Sequence, residues 1–304
     1  MRRYIFSRII QLVPILLGVT FLTFGMMRFA ADDAVDKIYE QSGSVSEEVK
    51  AAKRAELGLD QPFLIQYGRW LTGVATGDMG RSFISGKLVF ETFAEKLPAT
   101  VELMLVSLAL TVFVATPLGI LSAVKQNEPL DFLIRALSFV GNSMPNFFVA
   151  LLLIYFLALK LNLLPIISAS VIMPALTLTI SMGAKYTRQI RAVVLEELAK
   201  PYVVGARARG VSEFTILTRS VLRSALIMII TLLALSMGSL LGGTAIVETI
   251  FMWDGVGKMA VDAILMRDYP LIQAYVVWMA IIYVLVNLAA DLLYRWLDPR
   301  VRYE

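Results

Sequence analysis

The sequence has no cysteine and no histidine, and only 17% of its 304 residues are charged. Each shortage excludes something. Without cysteine there is no disulfide framework and no thiolate metal site. Without histidine the commonest general base and the commonest metal ligand are both missing. An intramembrane enzyme, which needs a nucleophile–base pair or a metal, is therefore disfavoured. A soluble domain is about a quarter charged and about 45–50% apolar, whereas this chain is 58% hydrophobic, with a mean hydropathy of +0.73. Apolar residues in that excess call for the bilayer as solvent. The Gly-x-x-x-x-Gly-Lys-Ser/Thr phosphate loop is missing too. Its nearest fragments, Gly86-Lys87-Leu88 and Gly257-Lys258-Met259, lack both cradle and hydroxyl. The chain is not expected to hydrolyse ATP or to hold a cofactor or metal of its own.

What is present is a set of long apolar runs. A spanning helix needs about 20 apolar residues. Runs of that kind predict an all-α polytopic membrane protein with six spans, at about 9–29, 100–124, 132–159, 166–185, 225–247 and 271–293. The first follows Arg2, Arg3 and Arg8. A signal peptide begins in the same way, but no small-residue cleavage site follows, so an uncleaved span is expected. Residues 31–98 are polar and of mixed charge, which predicts a small extracytoplasmic helical subdomain between 1–30, with the first span, and a 99–304 membrane domain with the other five. Within it Ser46, ahead of Glu47 and Glu48, suits an N-cap, and Gly58 suits a helix stop.

Short-loop charge sets the orientation. The 186–224 loop carries Arg188, Arg191, Lys200, Arg207, Arg209, Arg219 and Arg223 against Glu196, Glu197 and Glu213. The N-terminus and the tail (Arg295, Asp298, Arg300, Arg302) are basic as well. With six spans these segments fall on one side, which the positive-inside rule makes cytoplasmic. The net charge of +4 is thus read as a mark of the cytoplasmic side rather than of a nucleic-acid partner.

The most informative stretch is Glu196 to Gly210. Pro201 suits the first turn of a new helix, Gly210 a left-handed stop, and Ser212 the cap of a second helix with Glu213 in its first turn. This pattern predicts two short helices meeting at a Gly turn and projecting from the membrane. Arg207 and Arg209 would offer bidentate contacts to acidic groups on a partner. The plain alternative is a basic loop lying on lipid headgroups.

The segment resembles the EAA loop of permease subunits of ATP-binding-cassette importers. Glu196, Ala206, Arg207, Ala208, Arg209 and Gly210 match its glutamate and its Ala-Arg-Ala-Lys-Gly core, with Arg209 for the usual lysine. Other stretches resemble the dipeptide, oligopeptide and nickel branch of that family. They are Leu57 to Pro62, Gln66-Tyr67, Gly77 to Ser82, Leu97 to Leu103, Ser143 to Phe147, Glu248 to Phe251 and Arg267 to Gln273. The resemblance implies a heterodimer of two similar permeases in a bacterial inner membrane. It further implies two ATPase subunits that bind ATP and Mg inside and a solute-binding protein outside. Glu196, Ala206, Arg207, Arg209 and Gly210 would then dock onto the ATPase. The cargo would be a peptide or chelated nickel. A bare nickel ion finds few ligands here, and the short 160–172 turn is closer by analogy to nickel-type members. Two positions depart from the family: Trp253-Asp254-Gly255 replaces Trp-Pro-Gly, which puts that external turn in question, and Pro201 stands where an acid is usual.

Several polar residues fall in or near spans: Glu102, Asn142, Asn146, Asn287 and Asp291. Such residues are costly in lipid and face a cavity or a partner. Ser143-Met144-Pro145-Asn146 should interrupt the third span, and broken helices are tolerated where they line a cavity. Asn142, Ser143 and Asn146 are therefore candidates for the translocation path. So are Gly238 and Gly242, a small-xxx-small pair on the fifth span, although ordinary helix packing explains that pair equally well. The 14 methionines are scattered and read as packing rather than as metal ligands. The rival function is a secondary transporter, which needs mid-depth carboxylates and an inverted repeat; neither stands out.

Overall fold

A computed structural model describes residues 2–28, 34–39, 45–165 and 170–297. The start of the fourth expected span at Ile166 and the tail residues Asp298, Arg300 and Arg302 lie outside them. Among the described residues the chain is helical, with one isolated bridge between Arg81 and Leu88 in place of any strand. It divides into two compact units.

The first unit comprises Met1–Thr100 and Asp254–Leu285. It begins with α1 (Arg2–Arg28), α2 (Ala34–Tyr39), α3 (Glu47–Glu56) and α4 (Phe63–Ala75). Helix α3 starts after Ser46, as expected, although the serine side chain makes no capping bond. Its end is a Schellman turn. Gly58 takes φ 69°, and the N–H groups of Gly58 and Leu59 reach the carbonyls of Ala55 and Arg54. Phe63 and Tyr67, one turn apart on α4, meet Phe21 and Phe24 of α1 edge to face at 5.2–5.5 Å.

Helix α5 (Val89–Val124) starts well before the predicted Thr100. Its first turns pack with α13 (Val256–Met266) and the first half of α14 (Tyr269–Leu297), through Val89, Phe93, Val256, Met259, Ile272 and Val277. Polar ties fix this core. The buried Asp268 accepts the Ser82 hydroxyl at 2.5 Å and the Phe83 N–H at 3.0 Å. Thr100 accepts the Val256 N–H at 2.9 Å.

The second unit comprises Val101–Trp253 and Val286–Glu304. Its elements include α6 (Pro129–Ser143), α7 (Asn146–Leu153) with a π-helical extension Ile154–Lys160, and α8 (Ile172–Leu198). They continue with α9 (Pro201–Ala208), α10 (Glu213–Thr215), a π-helical stretch Ile216–Val221, α11 (Leu222–Gly243) and α12 (Ala245–Ile250). The chain bends by 106° between α6 and α7, at the expected Met144-Pro145 break. Proline has no N–H to continue the ladder and biases the preceding residue to extended backbone; Met144 is extended, with ψ 130°. Helix α6 lies against α8, where Gly141 lets the Ala184 methyl approach. Gly119 of α5 meets α8 so closely that a Cβ there would lie 2.8 Å from Ile190.

Among the described residues, α1, α5 and α14 are long and apolar enough to cross a membrane, and the bent α6–α7 pair has the length and apolarity of either a broken span or a re-entrant loop. Helices α8 and α11, at 27 and 22 residues, are also long enough by length. The second half of α8 carries Lys185, Arg188, Arg191, Glu196 and Glu197 and runs on past the predicted span end at Lys185.

Candidate coupling site and translocation path

The predicted corner is present, with one change of form. Pro201 is the first residue of α9. Gly210, at φ 76°, ends the helix in a second Schellman turn: its N–H reaches the Arg207 carbonyl at 2.9 Å, and that of Val211 reaches Ala206 at 3.1 Å. The Ser212 hydroxyl accepts the Thr215 N–H. The second helix is not short, however. Residues Glu213–Thr215 continue through the π-helical stretch into α11, so the corner joins a short helix to a long one.

Helix α9 is two-faced. Val203 is fully buried, and with Ala206 it packs against a core that contains Ile190, Val194, Ile216 and Val221. The outer face shows Tyr202, Val204 at 57% exposure, Arg207 and Ala208. Beyond the turn Phe214 is 76% exposed, and Val211 is exposed as well. Large apolar side chains at the tip of a basic loop make a surface suited to a protein partner.

The two arginines have different roles. Arg207 engages Glu213 within the loop, Nε to Oε1 at 2.6 Å and Nη2 to Oε2 at 3.0 Å. This fork braces the corner and holds the Glu213 carboxyl below the usual carboxylate range. The bidentate partner expected for Arg207 is thus supplied by the chain itself. Arg209 is exposed and stays available to an outside acid. Glu196 is exposed on α8. Its neighbour Glu197 is buried, accepts the Tyr202 hydroxyl at 2.7 Å, and pairs with Lys200. Glu197 therefore pins α8 to α9, a role the sequence pattern did not single out.

A further polar centre holds α8. Asp131, at 0% exposure, takes both prongs of Arg191 at 2.8 Å, the Ser122 hydroxyl at 2.5 Å and the Asn127 N–H at 2.9 Å. Asn127 sits at φ 64°, so the carboxylate also fixes the turn before α6. Nothing local in the sequence marks a pair 60 residues apart.

The path candidates fall in two places. Asn142, Ser143 and Asn146 flank the 106° bend, the first two exposed, with the Ser143 hydroxyl bonded back to the Phe139 carbonyl at 2.8 Å. Gly238 and Gly242 lie one turn apart on α11, and Gly238 is buried. Glu248 is buried in α12 and accepts the Thr244 hydroxyl at 2.9 Å. The turn in question at Trp253 forms without proline. Met252 adopts φ 54°, and the Trp253 N–H reaches the Glu248 carbonyl at 2.8 Å. Among the described residues no cluster of three acidic side chains could hold a metal ion.

The described residues thus combine three helices apolar enough to cross a membrane with an exposed, braced corner. The chain belongs to the binding-protein-dependent transport system inner membrane component family: that family model matches residues 115–303, and its N-terminal companion matches residues 1–104. It is 36% identical over 318 residues to the oligopeptide transport system permease protein AppB of Bacillus subtilis, covering all of both chains. It is 35% identical over 308 residues to the glutathione transport system permease protein GsiC of Salmonella paratyphi A, again over both full lengths. In fold it is similar to a chain of the MetNI methionine ABC transporter in an inward-facing conformation. The TM-score is 0.62 at 18% identity, over 69% of this chain and 97% of that one. The chain is thus a multi-pass inner-membrane permease subunit. Membership implies, in general terms, an ATPase and a solute-binding protein as partners.

Proposed function

We propose that this permease carries peptides inward, driven by ATP hydrolysed on partner subunits, and that the α9 corner is where that drive enters. The relatives named above carry oligopeptides and glutathione, which favours peptides over chelated nickel as cargo. In this reading the chain pairs with a second, similar permease. Two ATPase subunits bind ATP and Mg on the cytoplasmic side, and an external binding protein delivers the solute. Six spans place both termini and the 186–224 loop inside, with 31–98 outside.

The observation that carries the docking role is the division of α9 into a buried Val203 face and an outer face bearing Val204. The inner face ties the corner to α8 and α11, so a push on the outer face is passed to those helices. Arg209, Glu196 and the φ 76° turn at Gly210 complete the contact surface, while Arg207 and Ala206 keep its shape. The bend at Asn142, Ser143 and Asn146 and the Gly238–Gly242 face are proposed to border the path. The test is peptide uptake into vesicles holding the whole importer. Glu196→Lys and Gly210→Val should insert normally, assemble poorly with the ATPase and lose most uptake. Wild-type uptake by both variants would remove the docking role.

A further inference from the structure

One cavity in the first unit is used by nothing described so far. It encloses about 320 Å³. Its walls come from the last turns of α1 and the first turn of α14, together with Leu57-Gly58-Leu59 and Asp78 to Arg81. Four of the sequence stretches that resemble the family's peptide branch therefore meet here, from parts of the chain about 200 residues apart.

Its chemistry is unbalanced. Arg28, Arg69 and Arg81 line it. Arg28 donates to the Leu59 carbonyl and Arg81 to the Gly86 carbonyl, and Arg69 has no bonded partner. Among the described residues none of the three is ion-paired. The lining carries one acid, Asp78, and that carboxylate already accepts the Gly80 N–H at 2.8 Å. Two further donors lie in the wall without acceptors. Gln273 makes no side-chain hydrogen bond, and the buried Trp70 indole N–H has none either. A buried donor left unmatched is costly. That N–H, set beside three exposed arginines without ion pairs, points to an anion with several acceptor oxygens.

Depth selects the anion. The cavity is bounded by the end of one membrane-crossing stretch, Ile10–Arg28, and the start of another, Tyr269–Leu292. The ends of spans lie at the headgroup level, where tryptophan and tyrosine collect and basic pockets hold anionic lipid headgroups. On α1 the cavity wall is apolar at Phe24 and Met27, which gives acyl chains a surface to lie against. We infer that this cavity binds the phosphate of an anionic glycerophospholipid on the extracytoplasmic leaflet.

The test uses the whole importer in nanodiscs of phosphatidylcholine, with or without a minority of phosphatidylglycerol. Lipid retained on the permease is read by native mass spectrometry. Arg69→Gln is the primary variant, because Arg69 is exposed and without a partner, so the fold does not depend on it. An unchanged melting midpoint in pure phosphatidylcholine verifies that. Wild type should keep phosphatidylglycerol in preference to phosphatidylcholine, and Arg69→Gln should lower that retention about five-fold. Arg28→Gln added to it should lower it further. Equal retention of the two lipids, or no effect of Arg69→Gln, overturns the inference. Displacement of the lipid by inorganic phosphate or by a transported dipeptide at millimolar concentration also overturns it, by giving the cavity to a soluble anion.

Discussion

Replacing Asp131 with alanine is the sharpest test of how the coupling corner is held. Asp131 is fully buried, and Arg191, whose side chain is 17% exposed, sets both prongs on it at 2.8 Å. The substitution leaves that guanidinium without a counter-charge and strips acceptors from Ser122 and the Asn127 N–H. Removing one member of a buried pair costs about 3–5 kcal/mol, because the remaining charge is uncompensated. Asp131→Asn keeps the shape and some hydrogen bonds but loses the charge, so it should cost less, about 2–3 kcal/mol. Asp131→Leu combined with Arg191→Met removes the buried pair but still leaves Ser122, the Asn127 N–H and Arg135 without the carboxylate, so it should recover only part of the loss, ending about 1–3 kcal/mol below wild type. Reversible unfolding in mixed detergent–SDS micelles measures all three. Because α8 carries α9 at its end, the alanine variant should also lose uptake in proportion to its instability. A cost below about 1 kcal/mol for Asp131→Ala, or a double variant no better than the single, would refute the reasoning.

Four smaller predictions follow from the geometry. Met252→Gly relieves a left-handed residue at an exposed turn and should stabilise by about 1 kcal/mol in the same assay. Gly210→Ala meets no atom within 4 Å, so its cost is conformational alone, about 1–2 kcal/mol, seen as looser association with the ATPase. Gly119→Leu places side-chain atoms where Ile190 already stands and should lower the yield of folded protein on detergent extraction. The Arg207–Glu213 brace has a pH signature as well. Glu213 titrates below its ordinary 4.5, so the brace is complete above that value and is lost as pH falls through the depressed one. Spin-label distances across the corner should stay constant from neutral pH down to that range and widen only below it.

Features of the corner that rest on local backbone rules were legible in the sequence. A left-handed glycine at 210, a proline at the first turn and a serine cap each follow from neighbours in the chain. The same holds for the Gly58 stop and for the break at Pro145. Helix lengths were less legible, because spans were sought as apolar runs. A helix does not end where its residues become polar: α8 runs to Leu198 and α5 begins at Val89. The polar centres were invisible for another reason. Asp131 with Arg191, and Asp268 with Ser82, join residues 60 and 186 apart, and each looks like an ordinary surface charge or hydroxyl in its own segment. Arg207 looked free for a partner because its acceptor, Glu213, lies across the turn.

The central claim is that the outer face of α9 touches the ATPase. The chain has no cysteine, so a single introduced thiol reports without background. Val204→Cys on that face, in the assembled importer, should form a cross-link to the ATPase subunit that changes in yield when ATP is added. Leu163→Cys, exposed in the turn after the π-helical extension of α7, should form none. Failure of Val204→Cys to cross-link in a complex that still imports peptide, or equal cross-linking from both positions, would contradict the account.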